Sequence, residues 1–302
     1  MLSLTRLRLL REVSVRGSLA AAAAALGNDP SSVSHQLKAL ESEVGAPLLE
    51  RVGRGVRLTE QAKILVAHTE RVLGELEAAE AEIAAAGRKV VGTVRIAAFQ
   101  TALHTIVPGA LAALARDCPE LRVETSHIPV EDGVPALLAR DFDLVLLEDY
   151  PARPGVRTEG VQVEHLGDDE LCLITSQETS AGIDLGRCAD HVWAMEAPGA
   201  PARQWSLAEC RRAGFEPAVE FESSDVLLLV RLVSLGLASA LVPDLALRAA
   251  RGSTGAPAPR RTPLPGSPSR RISTAIRTGS ARTPSIIAVR HALRAEFERL
   301  RG

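Results

Sequence analysis

The chain has 302 residues, enough for about two domains at the usual ~100–200 residues each. Its 35 basic and 37 acidic residues nearly cancel, so net charge indicates no partner class. We find no signal-peptide pattern and no apolar run of ~18 residues, so we expect a cytoplasmic protein with no membrane partner. The four cysteines form no CxxC pair and no His/Cys cluster, so we expect neither a disulfide framework nor a metal site.

The first 27 residues predict two short helices. Apolar residues recur at helical spacing in the first of them, at Leu4, Leu7, Leu10 and Val13. Gly17 ends this helix, and Ser18 is placed to cap an alanine-rich second helix that ends near Leu26-Gly27.

The segment "NDPSSVSHQLKALESEVG" (28–45) predicts a third helix with two different faces. Pro30 suits its first turn, and Gly45 stops it. One face carries the apolar stripe Val33, Leu37, Leu40 and Val44. The opposite face carries the polar residues Ser31, Ser34, His35 and Lys38.

Two short helices joined by a tight turn, the second with a polar N-terminal face, are typical of a helix-turn-helix. Short side chains let such a helix enter the major groove, where hydroxyls, His35 and Lys38 contact phosphates or base edges. The helix pattern alone leaves a second interpretation open, a small helical core with a solvated serine face.

The segment "LLERVGRGVRLT" (48–59) follows Ala46-Pro47 and predicts two short strands around Gly53-Arg54-Gly55. This hairpin would be a wing that places Arg51 and Arg54 near the DNA backbone or the minor groove.

Residues 59–86 predict one long helix, because they contain no proline and Gly74 is their only glycine. Thr59 is placed as its N-cap and Gly87 as its stop; 28 residues extend roughly 42 Å. A heptad seam steps by four and three residues through Leu65, Thr69, Val72, Leu76, Ala79, Ile83 and Ala86. The stripe can pack on its own domain, but a repeat this long favours a partner helix and hence a dimer.

Residues 91–302 alternate strand and helix patterns, which predicts parallel α/β units. Strands are expected at "GTVRIAAF", "LRVETSHI", "FDLVLLE", "DELCLITS" and "RRISTAIRT", and helices over 102–116, 133–140 and 284–299. The Pro/Gly/Ser-rich segment 251–270 is expected to be a surface loop.

We find no catalytic constellation and no phosphate loop, so we do not expect an enzyme. Parallel α/β units bind small molecules beyond the carboxyl ends of their strands. The first such edge is Phe99-Gln100-Thr101, where Thr101 either caps the following helix or donates to a ligand.

The N-terminal segment 17–62 resembles the signature of LysR-type transcriptional regulators. The matching residues are Gly17-Ser18, Ala22-Ala23, Leu26, Val33-Ser34, Leu40-Glu41, Gly45, Leu48, Arg51 and Leu58-Thr59. The resemblance places base contacts at Pro30, Ser31, Ser34 and His35. Glutamine is frequent in the family where Pro30 stands, and arginine where His35 stands, so the operator cannot be inferred from relatives.

The resemblance implies an α/β protein with an N-terminal winged helix-turn-helix (1–58), a linker and dimerisation helix (59–90) and an effector-binding domain (91–302). The last would have two subdomains like type 2 periplasmic binding proteins, with subdomain I over 91–163 and 267–302 and subdomain II over 164–266. We expect DNA contacts from Ser18, Pro30, Ser31, Ser34, His35, Lys38, Arg51 and Arg54, and dimer contacts from Leu65, Val72, Leu76, Ala79 and Ile83. We expect the effector cleft to be lined by Phe99, Gln100, Thr101, Val130, Glu148, Ala200 of the 197–203 loop, Ser223 and Asp225.

The sequence therefore predicts a regulator that binds double-stranded promoter DNA as a dimer or tetramer, contacts RNA polymerase, and responds to a small-molecule effector without a further cofactor. An unpaired Glu148 would repel an anion, so we hypothesise that the effector is not a simple dicarboxylate. The alternative is that Glu148 pairs with a nearby arginine. Two other functions compete: a redox sensor on the same scaffold that uses Cys188 and Cys210, and a stand-alone ligand carrier.

Overall fold

The computed structural model describes residues 2–52, 55–87, 89–151, 155, 158–176, 183–251 and 257–301. The chain divides into two compact units. The N-terminal unit comprises Met1–Gly87 with Thr278–Thr283, and the C-terminal unit comprises Arg88–Arg277 with Pro284–Gly302.

The N-terminal unit opens with three helices and a hairpin, followed by one long helix. Its elements are α1 (Leu4–Arg16), α2 (Leu19–Ala25), α3 (Pro30–Val44), β1 (Leu49–Val52), β2 (Gly55–Leu58) and α4 (Glu60–Gly87). The predicted helix ends are confirmed. Gly17 and Gly45 both adopt φ 73° after α1 and α3, and the Ala21 N–H donates to the Ser18 hydroxyl at 3.1 Å.

The predicted apolar stripes build one core in this unit. Val33, Leu37 and Leu40 of α3 are buried, and Val44 is partly buried against the same cluster. Leu7, Leu10 and Val13 of α1 complete it together with Leu48 and Ala62. Thr59 caps α4, since its hydroxyl accepts from the Ala62 N–H at 3.2 Å, as predicted.

The C-terminal unit alternates strands and helices. Its strands are β3 (Gly92–Ala98), β4 (Leu121–His127), β5 (Leu144–Asp149), β6 (Val161–Thr175), β7 (Val192–Met195), β8 (Ala218–Glu222), β9 (Ala240–Pro243), β10 (Arg260–Pro263) and β11 (Ser269–Arg277). Its helices are α5 (Gln100–Asp117), α6 (Val130–Leu138), α7 (Pro201–Arg212), α8 (Val226–Ser234), α9 (Asp244–Ala250) and α10 (Pro284–Arg301).

One seven-stranded sheet in this unit has the order β10-β6-β11-β5-β3-β4, with β9 also paired to β6. Strand β3 runs parallel to β4 and β5, which confirms the predicted parallel α/β units there. The same expectation is wrong for β6 and β11, because they pair antiparallel with each other and β11 also pairs antiparallel with β5.

The C-terminal unit has two lobes, one built on β3, β4 and β5 and the other on β7, β8, β9 and β10, and the long strand β6 connects them. Its first part, Val161–Glu170, pairs with β11, and its last part, Leu171–Thr175, pairs with β9 and β10. Strands β7 and β8 form a separate parallel pair. The chain therefore leaves the first lobe through β6 and returns through β11, as in a two-lobed α/β binding domain.

The segment 251–270 is not the plain surface loop that its composition predicted. Residues 252–256 lie outside the described residues, but Arg260–Pro263 form β10 and pair antiparallel with Cys172–Thr175. Pro263 ends this strand at the sheet edge, where a residue without an N–H is tolerated. Across the described residues, no helix is long and apolar enough to cross a membrane.

Candidate functional sites

The N-terminus of α3 is an exposed polar tip held by its own cap. Asp29 is the N-cap, and one of its carboxylate oxygens, Oδ1, accepts from the Ser31 N–H at 2.7 Å and from the Ser31 hydroxyl at 2.5 Å. These bonds from Ser31 lower the pKa of Asp29 below its ordinary 3.8. The carboxylate is therefore ionised at neutral pH.

The polar face of α3 is available to a partner. Pro30, Ser31, His35 and Lys38 are exposed, and Ser34 is partly exposed. Ser18 differs from these predicted DNA contacts, because it is partly buried and its hydroxyl caps α2.

The hairpin is tied to α3 by a residue whose role the sequence did not reveal. Glu41 of α3 accepts from the Leu48 N–H at 2.7 Å and from the Leu49 N–H at 3.2 Å, which fixes the start of β1. The hairpin register pairs Arg51 with Val56, and Arg51 is exposed. Arg54, predicted to lie at the tip, falls outside the described residues. Glu41 belongs to the quoted signature, so its position in the motif was the available signal.

An ion-pair network anchors α1 to α4. Arg11 is 1% exposed, and its guanidinium donates to Glu12 and, through Nε at 2.7 Å, to Glu70 of α4. Arg6 of α1 likewise donates to Gln36 of α3 at 3.0 Å. These contacts hold α1 against α3 and α4.

The predicted seam on α4 is largely solvent-exposed in the single chain. Ile83 is 74% exposed, Val72 45% and Leu76 44%. Ala79 is exposed as well, whereas Leu65 is partly buried against the core of the N-terminal unit. Thr69 is buried and its hydroxyl donates to the Leu65 carbonyl at 2.8 Å, so it is occupied within the chain. Ala86 is exposed too, so five apolar side chains of the seam remain uncovered along one face of α4.

The centre of the C-terminal unit is a buried arginine, Arg270, at the start of β11. It is 2% exposed, and it lies opposite Asp169 in the antiparallel pair of β11 with β6. Its Nε donates to Asp169 at 2.9 Å and its Nη1 donates to Glu148. Its Nη2 donates to the Thr101 hydroxyl at 2.7 Å, and its guanidinium lies 5.1 Å from the centre of the Phe99 ring.

Glu148 is therefore paired with an arginine, which was the alternative left open by the sequence. The argument that an unpaired Glu148 would repel an anion does not apply, so the hypothesis about dicarboxylates loses its basis. Burial raises the pKa of Glu148, and Arg270 opposes that rise. Two carboxylates share one guanidinium, so the cluster as a whole keeps a negative charge when both are ionised.

The first turns of α5 and α8 are joined by Gln100. Its amide donates to Asp225 at 2.8 Å and accepts from the Val226 N–H at 3.1 Å. Asp225 caps α8 by accepting from the Leu227 N–H, and the Ser223 hydroxyl accepts from the Asp225 N–H at 3.0 Å. The structure thus brings together three of the predicted cleft residues.

Thr101 does not cap α5, contrary to one of its two predicted roles. Phe99 occupies the N-cap position, and Thr101 lies inside the first turn with its hydroxyl accepting from Arg270. Two predicted residues make no polar contact in this cluster. Val130 begins α6 and packs against an apolar cluster with Ala97 and Val145, and Ala200 is the N-cap of α7.

Glu196 follows β7 and was not predicted as a site residue. Burial first, and then the nearby Glu148 and Glu131, raise its pKa to about 7, while Arg270 opposes the rise. Its carbonyl accepts from Arg203 Nη1 at 3.1 Å, and Arg203 also pairs with Glu222. The only sequence signal was an acid directly after an apolar strand, which is too common to single it out.

The cysteines do not suit a redox switch. Cys188 and Cys210 are fully buried in the apolar cluster around Trp193, and burial raises their pKa values to about 11 and about 12. A redox-sensing cysteine needs an exposed thiol of low pKa, so the burial of this pair does not support the redox alternative. Among the described residues, no group of His, Cys, Asp and Glu is arranged to hold a metal ion.

These features define a class of protein in which an N-terminal helix-turn-helix is followed by a two-lobed α/β binding domain. Two family models match the chain. The "bacterial regulatory helix-turn-helix protein, lysR family" matches residues 4–63, and the "LysR substrate binding domain" matches residues 87–298. The chain belongs to the LysR family of transcriptional regulators.

Individual relatives are more distant. The regulator CbbR of Xanthobacter flavus is 34% identical over 149 residues, a match that covers 49% of this chain and 44% of that protein. A probable hydrogen peroxide-inducible genes activator of Streptomyces viridosporus is 29% identical over 297 residues, 97% of this chain and 93% of that one. A solved full-length OxyR variant from Pseudomonas aeruginosa superposes with a TM-score of 0.73 at 20% identity, over 97% of this chain and 95% of that one. The last likeness shows the fold.

Proposed function

We propose that this LysR-family regulator binds promoter DNA in the cytoplasm as a dimer, or as a tetramer built from dimers, and that a small molecule in the C-terminal unit changes its effect on transcription by RNA polymerase. The observation that carries the DNA-binding part is the exposed polar face of α3. Four of its residues, Pro30, Ser31, His35 and Lys38, are exposed at the end of a helix-turn-helix, where base edges are read.

Dimerisation is supported by the uncovered seam of α4. A pair of seams would bury Val72, Leu76 and Ile83 against their copies, which removes large apolar side chains from water. Two recognition helices related by a two-fold axis read two half-sites about one helical turn, or a multiple of it, apart. The DNA site should therefore contain inverted repeats.

The effector part is supported by the polar groups gathered between the lobes. Gln100 and Asp225 connect the two lobes through a single side-chain amide. A ligand that replaces these hydrogen bonds changes the relative free energies of two lobe arrangements, and so shifts their populations.

Affinity selection of fragmented genomic DNA on the purified full chain, at two salt concentrations, tests the DNA-binding part. Enrichment of a few sites with two-fold-related half-sites is expected. Uniform enrichment of all fragments that weakens as salt rises would indicate binding to the DNA backbone without sequence preference. That result would contradict the proposal. The variant Ser34→Ala/His35→Ala is the negative control. It keeps the buried stripe of α3 and removes side chains from the polar face only.

His35→Ala tests one specificity residue separately. If His35 contacts a base, the variant should lose about 1–3 kcal/mol of discrimination at one operator position while its binding to random DNA stays unchanged. Equal affinity of the variant and the original protein across a set of operator variants would remove His35 from the base-reading set.

A further inference from the structure

Tyr150, which follows β5, has a buried hydroxyl whose hydrogen has no acceptor. The residue is 3% exposed, and its ring packs in the apolar cluster of the second lobe with Trp193 and Met195. Within the described residues its hydroxyl has no hydrogen-bond partner. Arg270 acts on the phenol electrostatically, but a guanidinium only donates and cannot accept the O–H hydrogen. Burial raises the pKa of Tyr150 well above its ordinary 10.0, so the phenol keeps that hydrogen.

The indole N–H of Trp205 is a second buried donor beside the first. Trp205 is 6% exposed, and its ring centre lies 6.1 Å from that of Tyr150. In the part of the chain that the structure describes, its Nε1 also has no hydrogen-bond partner. Buried polar groups are ordinarily hydrogen-bonded, and an unpaired one costs free energy. Two neighbouring donors without acceptors therefore point to a ligand that brings oxygen atoms.

Glu196, at the end of β7, has the opposite need. The charges that act on it are Glu148 and Glu131 of the first lobe and Arg270 of β11, so this second-lobe residue lies where the lobes meet. It is half-buried, and no group of the described residues donates a hydrogen bond to its carboxylate. A carboxylate in this position accepts hydrogen bonds from whatever donor enters between the lobes.

The charges around Glu196 favour a cation over an anion. Glu148 and Asp169 already share Arg270, and each of its three nitrogens donates within the chain, Nε to Asp169, Nη1 to Glu148 and Nη2 to Thr101. Among the described residues, no other cation acts on Glu196. An anionic ligand would thus meet an excess of carboxylates and a guanidinium that is already occupied.

We propose that the effector is a small organic cation, with a protonated amine or guanidinium that Glu196 binds and a nearby oxygen that accepts from Tyr150. Glu196 is the residue that selects the charge, and Tyr150 is the residue that selects the oxygen. This inference rests on the proposed effector function of the C-terminal unit, and it names the chemical class of the effector.

Isothermal titration calorimetry of the full chain at pH 8 tests the charge selection. Glu196 is ionised there, because its pKa is about 7. The cationic probes are ethanolamine and L-lysinamide, ethylene glycol is the uncharged match of ethanolamine, and succinate and benzoate are the anions. We expect the two cations to bind more tightly than ethylene glycol and than either anion.

Glu196→Gln keeps the shape of the side chain and removes its charge. It should weaken the binding of ethanolamine about tenfold, because a charge-assisted hydrogen bond is lost, and should leave any binding of ethylene glycol unchanged. Glu220→Gln, at an exposed position of β8, is the matched control and should bind like the original protein. An equal loss for both probes in Glu196→Gln would indicate a structural role and overturn the charge selection.

Tyr150→Phe removes only the hydroxyl and tests the oxygen selection. It should weaken the binding of ethanolamine and leave that of n-propylamine, which has no oxygen, unchanged. Unchanged binding of both amines would overturn the role of Tyr150. Tighter binding of succinate or benzoate than of the cations would overturn the inference while an effector function stands. If neither cationic probe binds, the inference is overturned, and the DNA selection described above still tests the proposed function by itself.

Discussion

Glu196→Gln should make the stability of the C-terminal unit less dependent on pH. Burial and the neighbouring Glu148 raise the pKa of Glu196 from 4.5 to about 7 in the folded chain. In the unfolded chain the same carboxyl loses its proton near its ordinary pKa. Between pH 4.5 and 7 the folded state therefore holds a proton that the unfolded state has released, and folding stability falls as pH rises through that window.

The size of the effect follows from the two pKa values. The change from 4.5 to about 7 corresponds to roughly 3 kcal/mol at ~1.36 kcal/mol per pKa unit. Since Glu196 keeps partial solvent contact, we expect about 2–3 kcal/mol. Glutamine has nearly the shape of the protonated acid and cannot ionise. The variant should therefore be more stable than the original protein by that amount at pH 8, and equally stable near pH 4.5.

Tryptophan fluorescence during urea unfolding measures this. The chain has two tryptophans, Trp193 and Trp205, and both lie in the C-terminal unit, so the signal reports on that unit. The free energy of unfolding is measured at several pH values for the original protein, Glu196→Gln and the control Glu220→Gln, which changes an exposed glutamate of β8. Equal pH slopes for all three would refute the reasoning, because no carboxyl at position 196 would then titrate differently on folding.

Three further results are expected. Arg270→Met should destabilise the C-terminal unit by about 3–5 kcal/mol in the same unfolding assay, because it leaves Glu148 and Asp169 buried without their cation. Val72→Glu/Ile83→Glu should convert the dimer to monomers in sedimentation velocity, because four charges would face each other across the paired seams. Cys188 and Cys210 should resist alkylation at pH 7.5 until the chain unfolds, as judged by mass spectrometry of the labelled peptides.

Each of these three predictions has either a control variant at a nearby position or a result that would contradict it. Arg271→Met changes the exposed arginine beside Arg270 and should cost little, so an equal loss would deny the importance of the buried pair. Ala84→Glu puts the same charge on α4 beside the seam and should leave the dimer intact. Rapid alkylation of Cys188 in the folded chain would revive the redox interpretation.

Much of the N-terminal unit could be predicted because its signals are local. The glycine after α1, the Ser18 cap and the stripe beginning at Val33 each depend on residues a few positions apart. A helix of that spacing has one way to bury its apolar face. The seam on α4 was predictable for the same reason, since a heptad repeat lies within one helix.

The centre of the C-terminal unit could not be predicted in this way. Arg270 meets Asp169 and Glu148 because β11 pairs with β6 and β5, and strand register across roughly 100 residues is not written in any local pattern. The error at 251–270 has the same origin, since β10 exists only because β6 offers an edge. Composition predicted a loop there, and the sheet overrode it.

The sequence by itself determined the family, the helix ends and caps of the N-terminal unit and the exposed seam. The tertiary structure decided which partners the polar residues of the C-terminal unit have. It paired Glu148 with Arg270, moved Thr101 from the cap into the cluster, and buried Cys188 and Cys210. The physical reason is that helix caps and apolar stripes are set by neighbours in the chain, whereas burial of a charge or a thiol depends on which distant strands and helices cover it.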